Sequence, residues 1–287
     1  MEPEVGELVT SFDMAGVSLT FTWLDDELEG FWRAPVDAPG YKKGTIPESP
    51  SGELADVENA IVRTIPDSSP EGRNAAALVL LALEATLRTI DENADELGRI
   101  DAVAGDGDHG IGMRRGATAA VAAARALVAA GAGVATVLDA AGDAWSDRAG
   151  GTSGALWGAI LESLGKETTD LNTPSSINIA AGVRRATAAI LEFGAVVGDK
   201  TMVDVLVPFN DAFSQGVADG ASLFETWRAA CAVADDAAAA TADLLPRMGR
   251  ARPHAEKSLG TPDAGATSLA LIIREIGGAL LDPSPQN

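Results

Sequence analysis

The chain has 287 residues, of which 46% are hydrophobic and 22% charged, a composition typical of a globular protein and unlike that of a disordered one. Its 21 basic against 42 acidic residues give a formal net charge of -21, which argues against nucleic acid and anionic membrane surfaces as partners, because both require a basic face. A single cysteine, Cys231, excludes a disulfide framework and cysteine-rich zinc sites, and the two histidines, His109 and His254, lie too far apart in sequence to form a helical metal-binding pair.

The first 72 residues predict a short β-containing region followed by a linker. Because a signal peptide starts with basic residues and continues apolar, the acidic start MEPEVGELV predicts none. Within residues 1–44, Val17, Leu19, Phe21 and Trp23 alternate with Ser and Thr, which predicts a half-buried strand. Residues 45–72 are rich in Pro, Ser and acidic residues, so we expect an interdomain linker with one short helix.

From Arg73 onward, Ala- and Leu-rich segments with helical spacing alternate with Gly or Pro, which predicts an all-α domain over residues 73–281 and a tail over 282–287. We predict about eight helices, over residues 73–93, 111–130, 134–149, 153–165, 176–194, 201–217, 222–245 and 266–281. Short connections favour an antiparallel up-and-down bundle or barrel. The longest apolar run, residues 75–87, contains Glu84 and is far shorter than the ~20 residues of a membrane-spanning helix. We therefore expect a soluble, cytoplasmic protein.

The first break between predicted helices carries three carboxylates, Asp101, Asp106 and Asp108, separated by glycines that permit a sharp chain path. Hard oxygen ligands in a small cluster suit Mg²⁺, which keeps some waters and takes other ligands from phosphates. A solvated acidic turn is the competing interpretation. An EF-hand is excluded, because the twelfth position counted from Asp106 is Ala117 and not Glu.

Two further breaks are rich in glycine. In GGTSG, residues 150–154, backbone N–H groups and two hydroxyls at a helix start would form an anion cradle, and a Gly C-cap followed by a Thr/Ser N-cap is the alternative. GDKTM, residues 198–202, fails as a phosphate-binding P-loop because Asp199 separates the glycine from the lysine. Pairing of Asp199 with a helix N-terminus is the simpler interpretation of that segment.

The fourth break supplies cations to an otherwise acidic chain. Its segments are GRAR at residues 249–252 and GTPDAGA at residues 260–266. Arg250 could bind a phosphate through two parallel hydrogen bonds, whereas a basic surface turn is the alternative. An up-and-down topology places alternate loops at the same end of the domain. The four breaks together therefore predict one composite Mg²⁺–nucleotide site.

The set of Asp101, GDGDHG, GGTSG, GDKTM, GRA and DAGATS resembles the DhaL (DAK2) domain, the nucleotide-binding half of dihydroxyacetone kinases, over about residues 73–281. The resemblance implies an eight-helix antiparallel barrel that binds ATP or ADP at one end. It also implies two Mg²⁺ ions on Asp101, Asp106 and Asp108, and a catalytic Arg250 that neutralises charge on the moving phosphoryl group. The nucleotide contacts that it implies are His109, Gly110, Ile111, Gly112, Thr152, Ser153, Gly194, Met202, Arg250, Asp263, Ala264 and Gly265.

This sequence departs from the family pattern at three places, none of them a carboxylate. Gly112 stands where the family usually has Asn, which removes one polar contact. Ala264 replaces the usual Pro. The segment before GDKTM is one residue shorter than in some members, which shifts the match at Gly194. We therefore expect metal binding to be retained and nucleotide affinity to be altered.

Residues 5–44 are similar to the C-terminal end of the companion DhaK domain, through TSFDMAGVSLT and LDDELEGFWRAPVDAP. In that family the DhaK half binds the ketone covalently through a histidine, and this chain has no counterpart. The resemblance implies an ATP-dependent phosphotransferase component with slight activity alone, acting on dihydroxyacetone or a similar short ketose or triose held by a DhaK-type partner. We expect the unpaired strand to join another chain or to be loosely ordered, and a homodimer is compatible with the sequence.

Three alternatives remain open at this point. One is an ADP-retaining DhaL subunit that receives phosphate from a phosphotransferase system. Another is the nucleotide domain of a fatty-acid kinase. The third, a non-enzymatic one, is an inactive nucleotide-binding interaction module. The DhaK-like segment disfavours the first two, and the complete set of ligand loops disfavours the third.

Overall fold

In a computed structural model, the structure describes residues 19–34, 65–248 and 251–281, and the chain divides into two compact units, Met1–Arg63 and Thr64–Asn287. In the first unit, α1 (Asp26–Arg33) starts at Asp25, whose carboxylate accepts a hydrogen bond from Leu28 N at 2.9 Å. Residues 19–25 form no strand. The predicted strand is therefore wrong over its described part, because among the described residues no strand lies beside it to satisfy its backbone. Val17 lies outside the described residues.

The second unit contains eight further α-helices, which are α2 (Pro70–Asp101), α3 (His109–Ala129), α4 (Val134–Ala149), α5 (Gly151–Lys166), α6 (Ser176–Leu191), α7 (Val203–Ala218), α8 (Leu223–Ala240) and α9 (Ala264–Leu281). Each helix packs against the next in sequence, and α9 packs back against α2, which closes the ring. The predicted antiparallel eight-helix barrel is confirmed. Two short 3₁₀ helices, Thr241–Asp243 and Arg252–Ser258, lie between α8 and α9.

Local sequence signals explain where several of the helices start. Ser69 caps α2 ahead of Pro70, and Ser175 and Ser222 each form a capping box at the start of α6 and α8. The largest departure from prediction is at α2, which continues to Asp101 instead of ending at residue 93. It continues because Ala94 and Leu97 extend the buried face to which Leu83 and Ile90 belong. Asp101 is consequently the last residue of a helix and not a loop residue.

Small residues and stacked aromatics fill the barrel. Trp145 stacks on Trp157 with ring centroids 5.0 Å apart, and a Cβ on Gly116 would lie 2.4 Å from Trp145 Nε1, so α3 and α4 approach closely only because residue 116 is glycine. Phe209, Phe213 and Trp227 form a second aromatic group between α7 and α8. Among the described residues, none of the helices is sufficiently long and apolar to span a membrane.

Candidate functional site

The predicted site loops lie at one end of the barrel, which we call the rim. Because neighbouring helices are antiparallel, the segments after α2, α4, α6 and α8 share this end; they are residues 102–108, 150, 192–202 and 241–263. Contacts join them across the ring. His109 Nε2 lies 3.0 Å from Ser268 Oγ, and a Cβ on Gly265 would lie 3.6 Å from Met202 Cβ. The rim thus assembles loops that are distant in sequence.

An acidic trio, Asp101, Asp106 and Asp108, occupies the rim between α2 and α3. One carboxylate oxygen of each residue lies within 4.8 Å of those of the other two, which matches the convergence expected from the sequence. Asp101 is partly buried and its buried Oδ2 has no hydrogen-bond partner, whereas Asp106 and Asp108 are exposed. Three hard oxygen donors that face one another fit a divalent cation such as Mg²⁺, and the orphaned oxygen gains a ligand if one binds.

Glycines set the path of this acidic segment. Gly105 N–H donates to Asp101 O at 2.6 Å, and a Cβ on Gly105 would lie 2.4 Å from Asp101 Oδ1. Gly107 has a φ of +78°, in the region that L side chains rarely adopt. The chain can therefore wrap around Asp101 and return to Asp108 only with glycines at these positions, as the sequence analysis expected.

His109, the first residue of α3, is held in one orientation beside the trio. Ser268 Oγ donates to Gly265 O at 3.1 Å and so accepts from the Nε2–H of His109 at 3.0 Å. Burial lowers the pKa of His109, and the opposing effect of the Asp101 carboxylate does not cancel it. An imidazole that carries its proton on Nε2 satisfies both contacts of Ser268, and burial favours the neutral form of the ring.

The next residues of α3 differ in what surrounds them. Gly110 packs directly on α2, because a Cβ there would lie 2.0 Å from Ala94 O. Ile111 is 46% exposed at the rim. Gly112 is open, since the nearest atom to a Cβ there would be Ala149 O at 3.5 Å. The structure accordingly gives Gly110 a packing role, and the nucleotide contacts implied for these three residues remain predictions.

The start of α5 presents unpaired backbone donors to the rim. The first backbone hydrogen bond of α5 runs from Gly154 N–H to Gly150 O at 3.2 Å, so the three N–H groups before Gly154 have no acceptor within the helix. Thr152 and Ser153 lie in this first turn. The alternative that they cap the helix is wrong, because the N-cap is Gly150 and no side chain caps it. Free N–H groups with a positive helix end suit an anion.

The loop between α6 and α7 is shaped by two carboxylates. Asp199 Oδ2 accepts from Val196 N at 2.9 Å. Asp204 accepts from Gly198 N at 2.5 Å and from Thr201 N at 2.8 Å. The predicted pairing of Asp199 with the N-terminus of α7 is therefore wrong, since Asp204 from inside α7 binds the N–H groups that precede it.

The remaining predicted contacts gather where α7 and α9 begin. Gly194 has a φ of +96° and faces Met248, whose Cε would lie 3.9 Å from a Cβ at residue 194. Asp263 Oδ2 accepts from Ala266 N at 2.7 Å, which caps α9, and burial raises the pKa of this carboxyl to about 6. Ala264 is buried beside it. These residues with Met202 and Gly265 form one side of the rim.

One predicted site residue, Arg250, lies outside the described residues, so its proposed role stays a prediction. Sequence reasoning missed three residues that shape the rim, which are Lys200, Asp204 and Ser268. Lys200 belongs to the GDKTM segment, which fails as a P-loop and matches a motif of the family, but no role was assigned to the lysine itself. Ser268 ends the DAGATS segment without any role assigned to it. For Lys200 and Ser268, a position inside a motif segment was the signal available, whereas Asp204 follows GDKTM by two residues and lies outside every motif segment.

Comparison with known proteins gives consistent matches. The sequence model of the DAK2 domain matches residues 103–278. An L-erythrulose kinase of Pectobacterium atrosepticum is 52% identical over 98% of this chain and 48% of its own length, and a D-erythrulose kinase of Mycolicibacterium smegmatis is 52% identical over 96% of this chain and 49% of its own. The chain thus spans about half the length of these curated relatives. The ADP-binding subunit DhaL of the PEP-dependent dihydroxyacetone kinase of Escherichia coli is 30% identical over 63% of this chain and 86% of its own length.

A structural likeness agrees with the helical architecture. The dihydroxyacetone kinase of C. freundii, solved in complex with AMP-PNP and Mg²⁺, superposes with a TM-score of 0.55. The match covers 89% of this chain and 42% of that one, at 21% sequence identity. At that identity the likeness concerns the fold alone.

Proposed function

Because the chain belongs to the DAK2 domain family, we propose that it is the nucleotide-binding part of an ATP-dependent ketose kinase. The observation that carries this proposal is the acidic trio, whose carboxylate oxygens lie within 4.8 Å of one another at the rim. Free N–H groups at the start of α5 occupy the same rim. A cation site beside an anion site is the combination that a metal–triphosphate complex requires.

The relatives support a four-carbon ketose as the acceptor. Proteins named as erythrulose kinases match 98% and 96% of this chain at 52% identity. Of the acceptors expected from the sequence, dihydroxyacetone or a similar short ketose, we therefore propose the short ketose erythrulose. The two relatives are named for opposite enantiomers of erythrulose and are equally identical to this chain, so a kinase activity assay should include both L- and D-erythrulose. We propose that the ketose is held by a DhaK-type domain outside the DAK2 domain, since the chain matches only about half of each relative.

The donor set fits Mg²⁺ as the metal. All three side chains offer hard carboxylate oxygens, two of them are exposed, and the third carries the buried, unpartnered Oδ2 of Asp101. Mg²⁺ bound here would neutralise phosphate charge and so allow a chain of net charge -21 to accept a polyanion. The resemblance to the family implies two Mg²⁺ ions, and a metal titration measures how many bind.

Within this proposal the residues of the chain position the phosphates and the base. The N–H groups and hydroxyls of Thr152 and Ser153 donate to phosphate oxygens at the start of α5. Arg250 neutralises charge on the phosphoryl group as it moves, because phosphoryl transfer depends on positioning and electrostatics more than on covalent chemistry. Gly194, Met202 and the turn at residues 263–265 border the space for the nucleoside.

ATP dependence is proposed over ADP retention because of the relative extent of the matches. The ADP-binding E. coli subunit matches 63% of this chain at 30% identity, whereas the erythrulose kinases match nearly all of it at 52%. Bound nucleotide that exchanges with free ATP is therefore the expected behaviour. Nucleotide that stays bound through gel filtration and does not exchange would favour the ADP-retaining alternative.

Calorimetric titration with Mg²⁺ and AMP-PNP tests the proposal. Asp106→Asn should weaken binding by more than about tenfold, because it removes one charged oxygen ligand. Asp219→Asn is the matched control, since it makes the same charge change at an exposed residue that follows α7, at the opposite end of the barrel. Equal affinity of Asp106→Asn and the parent chain, or binding that does not depend on Mg²⁺, would contradict the proposal.

A further inference from the structure

Lys200 is a buried lysine in an unusual backbone conformation. Its φ is +61°, and among the described residues it is the one non-glycine residue with positive φ. It is only 5% exposed. A left-handed backbone costs energy for a residue with a Cβ, and burial of an ammonium group costs more. Both costs at one residue require compensating contacts, and these contacts explain what Lys200 does.

The ammonium group joins two loops of the rim. Lys200 Nζ donates to Leu244 O at 3.1 Å and to Ser258 O at 2.7 Å. Both acceptors are backbone carbonyls of the α8–α9 segment, residues 241–263, and they lie on either side of Arg250 in sequence. The side chain itself extends from the α6–α7 loop, two residues before Met202. One buried charge therefore ties two described residues of the α8–α9 segment, Leu244 and Ser258, to the loop that precedes α7.

The same charge lies among the carboxylates of the site. Lys200, Asp101 and Asp263 line one cavity of about 40 Å³, which has room for two or three waters. The carboxylates of Asp263 and Asp243 act on Lys200 and raise its pKa, although burial outweighs them and leaves the pKa lowered. Asp263 in turn feels the negative charge of Asp204 and Asp101 and the positive charge of Lys200. Lys200 thus reduces repulsion between carboxylates that the rim brings together.

We propose that Lys200 is a positioning residue for the metal–nucleotide complex, which it serves by fixing Leu244 and Ser258 of the α8–α9 segment on the rim and by holding a positive charge at the cavity that it lines with Asp263 and Asp101. This inference rests on the proposed function, since it concerns the same nucleotide site. It is distinct from the roles of the acidic trio and Arg250, because Lys200 acts through backbone carbonyls and neighbouring carboxylates and not by contact with the nucleotide.

Lys200→Met removes the charge and both hydrogen bonds while it keeps a long unbranched side chain at the same φ. We expect the Kd for Mg²⁺·AMP-PNP to rise at least about tenfold, the effect of losing a buried, charge-assisted pair of hydrogen bonds. Hydrogen exchange of residues 244–258 should be faster in the variant without nucleotide. Lys166→Met is the matched control, because Lys166 is exposed, pairs with Glu162 and ends α5 away from the rim.

Rescue separates a positioning role from a general loss of stability. Lys200→Gly removes the side chain and relieves the backbone strain, because glycine adopts positive φ readily. Butylammonium reproduces the missing atoms and should restore part of the affinity of this variant for Mg²⁺·AMP-PNP, whereas the uncharged butanol should not. Restoration by both compounds equally, or by neither, would overturn the inference, as would a Lys200→Met variant that binds within about twofold of the parent.

The result for the parent chain distinguishes the two proposals. Tight Mg²⁺-dependent binding of AMP-PNP by the parent, matched by Lys200→Met, would leave the proposed function standing and remove only the role of Lys200. Absence of binding by the parent would remove both.

Discussion

The close packing of α3 against α2 near the acidic trio predicts opposite effects on stability when alanine replaces two neighbouring glycines of α3. A Cβ on Gly110 would lie 2.0 Å from the backbone oxygen of Ala94, whereas real Cβ atoms essentially never come closer than 3.0 Å, so Gly110→Ala must push α3 from α2 by about 1 Å. Overpacking of this kind costs about 1–3 kcal/mol. For a domain of this size we expect Tm to fall by about 2–12 °C.

Gly112→Ala, two residues along the same helix, is the control with the opposite expected sign. The nearest atom to a Cβ at Gly112 would be 3.5 Å away, an ordinary contact, and alanine favours a helix interior over glycine by up to about 1 kcal/mol. Tm should therefore rise by about 2–4 °C. Scanning calorimetry of both variants in EDTA measures the difference. The reasoning is refuted if Gly110→Ala melts at or above the parent, or if Gly112→Ala loses as much stability as Gly110→Ala.

Two further predictions concern the two ends of the barrel. Burial raises the pKa of Asp263 to about 6 from an ordinary value near 3.8, so its protonated form stabilises the fold at low pH and this contribution is lost as the pH rises through 6. The Tm of Asp263→Asn should therefore rise relative to that of the parent as the pH increases from about 4 to 6 in EDTA. A Tm difference that stays constant across that range would contradict the burial argument. At the opposite end, Asp170 accepts hydrogen bonds from Thr136 N at 3.0 Å and from Thr136 Oγ1 at 2.5 Å. Asp170→Ala should therefore lower the free energy of unfolding in urea by about 1–3 kcal/mol. The Kd for Mg²⁺·AMP-PNP should stay unchanged, because Asp170 lies far from the rim. A changed Kd would show that the two ends are coupled.

Helical periodicity predicted the barrel well because each helix buries one face against its neighbours. Helical periodicity was less successful at α2, which was predicted to end at residue 93. Ala94 and Leu97 nevertheless stay buried, so the helix continues and its last residue is Asp101. The alternating residues Leu19, Phe21 and Trp23 show the converse, because they are 77%, 92% and 96% exposed and a strand pattern forms a strand only where another strand pairs with it.

The acidic trio was predictable since its ligands and glycines lie within eight residues of sequence. The supporting contacts were not, because they depend on tertiary neighbours. Lys200 is held by carbonyls 44 and 58 residues away, and any residue type offers a backbone carbonyl. His109 is likewise oriented by Ser268, 159 residues along the chain. Sequence patterns identify reactive or ligand-binding side chains. A hydrogen-bond partner that contributes only its backbone carbonyl can be any residue type, so no sequence pattern predicts it.

The charge distribution of the rim favours binding of a divalent cation before, or together with, binding of a nucleotide. A chain of net charge -21 with three carboxylates facing one another repels a triphosphate until divalent cations neutralise the trio. The ammonium of Lys200 is buried and committed to Leu244 and Ser258, so it offsets part of the negative charge at Asp263 and does not replace the metal. Free nucleotide should accordingly bind weakly, and the metal–nucleotide complex, not the nucleotide, is the species that the rim selects. Because like charges so close together destabilise the empty site, the same metal should also raise Tm in the absence of nucleotide.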